Sequence, residues 1–362
     1  MKLKNILSGV VFLIMMISCS MEDEVVLNDI DKEIQNNVEA YAYFDLNLVG
    51  KGSMTKAANS EDEAPIAEES SVNNCYLAIF NTDSKLLLNS FYYVNGTIKS
   101  VEGEEPIYAL DSHFQMKVSK VENERPNLTF VAIANINYDN QSVDQGVSSL
   151  ATLKACDTYD KLMAATIYEN PTVLVKKGEI SITKSQYETS SLVSEHDSYC
   201  TKVIIPVYQR SAAVELSSFI VRRTKSDGAY ETLSTTDVKF NLYNVNLRTK
   251  VKTASDDIDS IEETVYNASD SDKRLYTYEN MTDKKTYMKV SYTLNGNRET
   301  TRALYIKTPV NGQNVEEVLA NHLYKLTVTV TNGTVNVGIK CYTKDWNYTN
   351  DADHNFEFIY KD

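Results

Sequence analysis

Strict alternation of apolar and polar residues is the feature that most constrains how this chain folds. In residues 38–49 every second side chain is small or apolar: Val38, Ala40, Ala42, Phe44, Leu46 and Leu48. Polar residues such as Asp45 and Asn47 lie between them. Because successive side chains of a β-strand point to opposite faces, this pattern predicts a strand with one buried face.

Similar alternating runs follow along the chain in two groups. The first group comprises residues 73–80, 86–94, 113–118 and 128–136. The second group comprises residues 203–207, 212–221, 237–247, 287–294 and 301–307. A polar, serine-rich interval at 185–200 separates the two groups. We therefore predict a chain made mainly of β-sheet, with a domain boundary near residues 198–202.

One segment has a helical period instead. Its apolar residues recur at steps of three and four: Leu150, Leu153, Cys156, Leu162 and Met163. This spacing predicts an amphipathic helix over 148–166, with a break near Asp157. We expect the helix to pack against the first sheet as part of the core, without a chemical role.

The C-terminal part carries a hairpin signal. Asn332 and Gly333 separate two alternating runs, and both residue types accept the positive φ angles of a type I′ turn. A last short alternation, NFEFIY at 355–360, places Phe356, Phe358 and Tyr360 on one face of a further strand. The sequence leaves open whether this strand is fixed in its own sheet.

The N-terminus reads as an export signal. Two early lysines precede an apolar run that is too short to be a permanent membrane helix. The tetrapeptide MISC ends at Cys19 and resembles a bacterial lipobox, so we expect residues 1–18 to be a lipoprotein signal peptide and Cys19 to be lipidated. Residues 19–37 are acidic and show no sustained hydrophobic periodicity, which is typical of a solvated tether.

Composition argues against several kinds of function. A net charge of −14 disfavours nucleic acid and anionic membranes as ligands. There is no GxSxG, HExxH or Walker motif, and the His residues lack ligand spacing. We therefore expect no enzymatic activity, no cofactor and no metal site.

The remaining cysteines are Cys75, Cys156, Cys200 and Cys341. We favour free thiols for them, although export would permit disulfides.

Several stretches together resemble one family. They are the lipobox at Cys19, VEAYAYFDLNL followed by MTKAANSEDEA, NNCYLAIF, NLTFVAIANI, IPVYQRSAAVELSSFIV and NHLYKLTVTV with KDWNY after it. In this order and spacing, they resemble the fimbrillins of Bacteroidetes, the pilin subunits of lipoprotein-derived fimbriae. The resemblance covers nearly the whole chain.

The resemblance implies an all-β fold with a minor helix, arranged as two tandem transthyretin-like β-sandwich domains. Carried onto this chain, these are residues 38–200, with 38–56 as a removable first strand and loop, and residues 201–362. It further implies a precursor anchored in the outer membrane through its lipid. A trypsin-like surface protease would cut at Lys56-Ala57, with Lys51 as the rival site, and release the first strand.

The resemblance also implies an assembly step after the cut. The groove left by the first strand would accept a strand from a neighbouring fimbrial subunit at the cell surface. The face formed by Phe356, Phe358 and Tyr360 is the candidate donor. A donor role indicates a stalk subunit, whereas a fixed strand indicates a tip or accessory subunit. Two alternatives stay open: a permanently anchored lipoprotein that binds glycans, and a secreted hydrolase on a β scaffold.

Overall fold

A computed structural model describes residues 39–50, 69, 71–94, 97–99, 107–136, 148–187, 198–253, 258–260, 264–265, 273–343 and 355–360. The predicted signal peptide, Cys19, Val38 and the processing residues Lys51, Lys56 and Ala57 lie outside these ranges. The described residues are mostly strands, with two short α-helices. The predicted all-β fold with a minor helix is therefore confirmed.

The first strands in chain order are β1 (Glu39–Gly50), β2 (Asn74–Asn81), β3 (Leu87–Val94), β4 (Thr97–Lys99), β5 (Ile107–Ser119), β6 (Leu128–Ala134), β7 (Thr166–Ile167), β8 (Lys176–Ile182) and β9 (Ser198–Gln209). The next are β10 (Ser211–Thr224), β11 (Tyr230–Leu233), β12 (Thr235–Asn246), β13 (Thr249–Lys250), β14 (Ile258–Ser260), β15 (Thr264–Val265) and β16 (Arg274–Tyr278). The last are β17 (Tyr287–Leu294), β18 (Asn297–Thr300), β19 (Leu304–Tyr305), β20 (Thr308–Val310), β21 (Gln313–Val315), β22 (His322–Thr331), β23 (Thr334–Thr343) and β24 (Asn355–Tyr360). The α-helices are α1 (Ser149–Lys154) and α2 (Tyr159–Ala164), and 3-10 turns cover Glu122–Glu124, Pro171–Val173 and Lys184–Gln186.

The first sheet has the strand order β3-β2-β6-β8-β9-β1-β5-β4 and bends between β8 and β9. These two strands pair only where Lys176–Gly178 meets Val207–Gln209. Gly178 allows the close approach there, because a Cβ atom on it would lie 2.4 Å from the carbonyl oxygen of Pro206. The halves β3-β2-β6-β8 and β9-β1-β5-β4 share one apolar core, so they form the two layers of a β-sandwich.

The outer face of the first layer is covered by the two helices. Ser148 caps α1 by accepting a hydrogen bond from the Ala151 amide, and Thr158 caps α2 in the same way from Lys161. The predicted break near Asp157 is thus real, and the segment forms two helices rather than one. Their apolar side chains pack on β2 and β6, as expected; the helix residues involved are Leu150, Leu153, Cys156, Leu162 and Met163.

The second sheet has the order β18-β17-β12-β16-β10-β22-β23-β24, with β11, β14, β15 and β19 paired at its sides. The predicted hairpin joins β22 to β23, and both turn residues have positive φ: 49° at Asn332 and 82° at Gly333. The predicted strand over 301–307 is wrong in extent, because only Leu304–Tyr305 pairs with β17.

The sequence pattern places the run at 203–207 in the second group of strands, and this prediction is wrong. It belongs to β9, which lies wholly in the first sheet and pairs with β1 from Ser198 to Val207. β9 belongs to the first sheet and β10 to the second, and only Arg210 separates the two strands. The predicted domain boundary after residue 200 would therefore cut through β9. Local pattern could not reveal this, because the partner of β9 lies far away in the sequence.

Candidate functional site: the first strand and its groove

The first strand is internal to its layer and has a neighbour on each side. It pairs antiparallel with β5 from Glu39 to Val49 and parallel with β9 from Tyr41 to Gly50. We call the space between β5 and β9, which β1 fills, the acceptor groove. The direction of β1 is therefore opposite to that of β5 and the same as that of β9. A strand that replaces β1 in the same direction must also run antiparallel to β5 and parallel to β9.

One face of β1 is completely buried, as its alternation predicts. Ala40 is 1% exposed, and Ala42, Phe44, Leu46 and Leu48 are 0% exposed. The ring of Phe44 lies within 5.7 Å of three others, those of Phe114, Phe130 and Tyr187. These contacts reach both the opposite layer and the neighbouring strand β5. The small residues therefore lie at the N-terminal end of the acceptor groove and the large ones at its centre and C-terminal end.

A buried polar residue on β1 was missed by sequence reasoning. Asn47 points away from the face of Phe44, but it is only 3% exposed. It follows a register shift between Asp45 and Asn47 in the pairing with β5. The sequence offers no signal for this burial, because an irregularity of the ladder depends on the partner strand.

Parts of both neighbours depend on β1 for their pairing. Among the described residues, 198–205 of β9 pair with β1 alone, since β8 reaches only Val207–Gln209. Residues 113–119 of β5 likewise pair only with β1, since β4 meets β5 at residues 107–109. Withdrawing β1 would therefore leave two strand edges without hydrogen-bond partners, a strong template for a new strand.

The candidate donor strand is present as β24, at the edge of the second sheet. It pairs antiparallel with β23 from Asn355 to Tyr360, and within the described chain it has no second strand neighbour. Phe356, Phe358 and Tyr360 lie on this strand. An edge strand has inter-strand hydrogen bonds on one side only, so β24 can leave its sheet at a lower cost than an internal strand such as β1.

A buried ionic cluster joins the two sheets. Glu69, which follows the segment of the predicted processing residues in the sequence, forms an ion pair with Arg274 of β16 at 2.5 Å, and it accepts a hydrogen bond from the hydroxyl of Tyr276 at 3.0 Å. Arg274 also contacts Glu215, which in turn contacts Lys325 at 3.2 Å. We call these residues, together with Lys176, the junction cluster.

Burial and charge act in opposite directions on the basic groups of the junction cluster. The side chain of Lys176 donates to the carbonyl oxygen of Glu69, and burial lowers its pKa to about 8 despite the attraction of the Glu69 carboxylate. Burial alone would also lower the pKa of Arg274, but the carboxylates of Glu69 and Glu215 outweigh it and raise the pKa. The cluster therefore ties the chain at Glu69 to both sheets, through Lys176 of the first and Arg274 of the second.

The thiols of Cys75, Cys156 and Cys341 are free and buried. Burial raises the pKa of both Cys75 and Cys341 to about 12, which makes them unreactive. The side chain of Cys200 lies outside the described part of the structure.

Over the described residues, no group of three or more His, Cys, Asp or Glu side chains could hold a metal ion. Within the same ranges, no helix has both the length and the apolar content to cross a bilayer.

Solved structures with this fold come from proteins connected with fimbriae and adhesion. A fimbrial assembly protein from Parabacteroides distasonis matches with a TM-score of 0.51 and 17% identity, over 89% of this chain and 100% of that chain. A candidate cell adhesion protein from the same organism matches with a TM-score of 0.53 and 15% identity, over 90% of this chain and 97% of that chain. No protein-family model and no curated protein matches the chain. The resemblance to fimbrillins is therefore confirmed at the level of the fold.

Proposed function

We propose that this chain is a structural subunit of a cell-surface fimbria that supports adhesion. It is exported as a precursor lipidated on Cys19 and held in the outer membrane. A surface protease cuts the loop after β1, and the subunits polymerise by donor-strand exchange. The observation that carries the proposal is the internal position of β1, between two strands that depend on it for pairing. The fold shared with a fimbrial assembly protein supports it.

The cut converts a stable precursor into an assembly-competent subunit. In the intact chain β1 is covalently attached, so it returns to the acceptor groove whenever it opens. After cleavage at Lys56-Ala57, or at Lys51, the strand is a separate peptide that leaves with its lipid. Its place can then be taken by a strand that is connected to another subunit.

The tail of the same sequence matches the requirements of the acceptor groove. Aligned without gaps, Ala352, His354, Phe356, Phe358 and Tyr360 correspond to Ala40, Ala42, Phe44, Leu46 and Leu48. Apart from His354, the order of small residues first and large residues later is the same. A tail of this pattern would present its large side chains where the core has room for them.

Donation from one chain to the next gives a filament rather than a closed dimer. The donor belongs to the second sheet and the acceptor groove to the first, so the contact is head-to-tail and does not close on itself. The partners are then copies of this chain and accessory subunits. A chain that keeps β24 on its own sheet would end the filament instead, as a tip or accessory subunit does.

The test compares surface material from cells that produce four versions of the chain. They are wild type, the double variant Lys51→Gln/Lys56→Gln, a chain ending at residue 350, and the exposed control Lys284→Gln. Intact mass and N-terminal sequence are measured on sheared filaments and on the membrane fraction. We expect high-mass polymers starting at Ala57 for wild type and for the control. Monomers that keep acylated Cys19 are expected for the double variant.

The chain ending at residue 350 separates processing from donation. It should be cleaved normally but should not add further subunits.

Wild-type protein that remains monomeric and keeps residues 19–56 would refute the polymerising role. It would favour the anchored glycan-binding alternative, for which the structure offers one observation. Tyr243 and Tyr287 stack at 4.9 Å, with Tyr305 beside them, as a half-buried aromatic row on the second sheet. Retention on immobilised polysaccharide would test that role.

A further inference from the structure

Arg125 connects the two strands that flank β1 without using β1 itself. Its Nε donates to the carbonyl oxygen of Ser119 at 2.9 Å, and its Nη2 donates to that of Lys120 at 2.7 Å. The same Nη2 donates to the hydroxyl of Tyr199 at 2.5 Å, and the guanidinium lies 4.1 Å from the centre of that ring. Ser119 ends β5 and Tyr199 is the second residue of β9, so Arg125 joins the two sides of the acceptor groove.

The loop that carries Arg125 is fixed to the opposite layer of the sandwich. The hydroxyl of Tyr187 donates to the carbonyl oxygen of Pro126 at 2.7 Å, and the amide of Lys184 donates to the Asn127 side chain at 2.9 Å. Tyr187 is buried and its ring also packs edge-on against Tyr199. These two hydrogen bonds therefore tie the Arg125 loop to the opposite layer without involving β1, while the ring of Tyr187 also packs against Phe44 of β1.

The spacing across the groove explains why such a connection matters. Two strands on either side of a third lie roughly 9–10 Å apart. When the middle strand leaves, apolar side chains on both sides favour collapse of the gap, and a collapsed groove must reopen before it can bind. A groove held at the right width avoids that cost, which is the advantage of preorganisation.

We propose that Arg125 is a positioning residue that holds β5 and β9 at acceptor spacing after β1 has been released. This rests on the proposed function, because it concerns the groove that receives the donor strand. The planar guanidinium suits the task, since it donates in several directions while it stacks on Tyr199. Lysine has the same charge but cannot make this arrangement.

The experiment measures rebinding of β1 as a peptide. The folded full chain is nicked with trypsin in the 51–68 loop, and the released fragment is exchanged for a fluorescent peptide of residues 38–49. Anisotropy then gives the dissociation constant for wild type, Arg125→Gln, Arg125→Lys and the control Arg223→Gln. Arg223 is likewise held through its guanidinium, by an ion pair with Glu231 at 2.6 Å, but it lies on the second sheet. Thermal unfolding of the intact chains is recorded in parallel.

We expect both Arg125 variants to bind the peptide at least tenfold more weakly than wild type, and the control to bind it within twofold. The melting of the intact variants should change little, because there β1 itself holds β5 and β9. Peptide affinity within twofold of wild type in Arg125→Gln would overturn the proposal. If that variant does not fold, Tyr199→Phe replaces it, with a loss of about threefold expected and unchanged affinity overturning the proposal. Wild-type nicked protein that takes up no peptide would instead contradict the proposed function.

Discussion

Replacing Phe44 with alanine tests whether its buried face is what holds β1 in the sandwich. Phe44 is fully buried and contacts the aromatic rings of Phe114, Phe130 and Tyr187. Truncating a buried phenylalanine costs about 3–5 kcal/mol, including the lost ring contacts and the cavity left behind. Since about 1.4 kcal/mol corresponds to a factor of ten, the equilibrium for local opening of β1 should rise by roughly 140- to 4000-fold.

Hydrogen exchange of the intact chain, followed by mass spectrometry, measures that opening directly. Amides of β1 should lose protection by the same factor in Phe44→Ala. Tyr43→Ala is the matched control, because Tyr43 is the adjacent residue on the opposite, half-exposed face and its hydroxyl accepts from Gln115. A cross-strand contact of that kind is worth at most about 1 kcal/mol, so the control should lose less than tenfold.

The pairing pattern supplies the result that would refute this reasoning. Residues 198–205 pair only with β1 within the described chain, so their amides should lose protection together with β1. Residues 128–134 of β6 lie between β2 and β8 and should keep theirs. If β1 opens more easily while residues 198–205 stay protected, then β1 is not what holds the first half of β9, and the acceptor groove does not exist in the form proposed.

Three further outcomes are expected. Glu69→Gln removes one carboxylate from the buried Arg274 and should lower the free energy of unfolding by about 3 kcal/mol in urea titrations; a loss below about 1 kcal/mol would contradict the role of the junction cluster. Because the pKa of Lys176 falls from 10.5 to about 8 on folding, the unfolded chain binds more protons between these values. Lys176 should therefore contribute a rise in stability of roughly 2 kcal/mol from about pH 8 to about pH 9.5, measured as the difference between the wild-type and Lys176→Met profiles; Lys177→Met should follow the wild-type profile, and the buried thiols of Cys75 and Cys341, which act in the opposite direction, cancel in the comparison. Gly333→Ala places a side chain at φ 82° and should cost about 1–2 kcal/mol in the same titrations, whereas an unchanged midpoint would argue against the type I′ turn.

Local sequence was sufficient wherever a feature depends on neighbouring residues. Alternation predicted β1 and its buried face, the helical period predicted the segment around Asp157, and the Asn332-Gly333 pair predicted the hairpin. Each of these depends on side-chain direction or on φ preference over a few residues. The site residues that sequence reasoning missed are of another kind. Glu69 and Arg125 act through partners distant in the sequence, and nothing near them distinguishes them from ordinary surface charges.

The sequence by itself determined that this is a β-rich chain with a well-patterned first strand ahead of a polar, lysine-bearing loop. Only the tertiary structure decided that this strand is internal, with β5 on one side and β9 on the other. It also decided that β9 belongs to the first sheet and that Arg125 joins both sides of the groove. The physical reason is that alternation specifies which face of a strand is buried, whereas strand order and register arise from long-range pairing that a single strand does not encode.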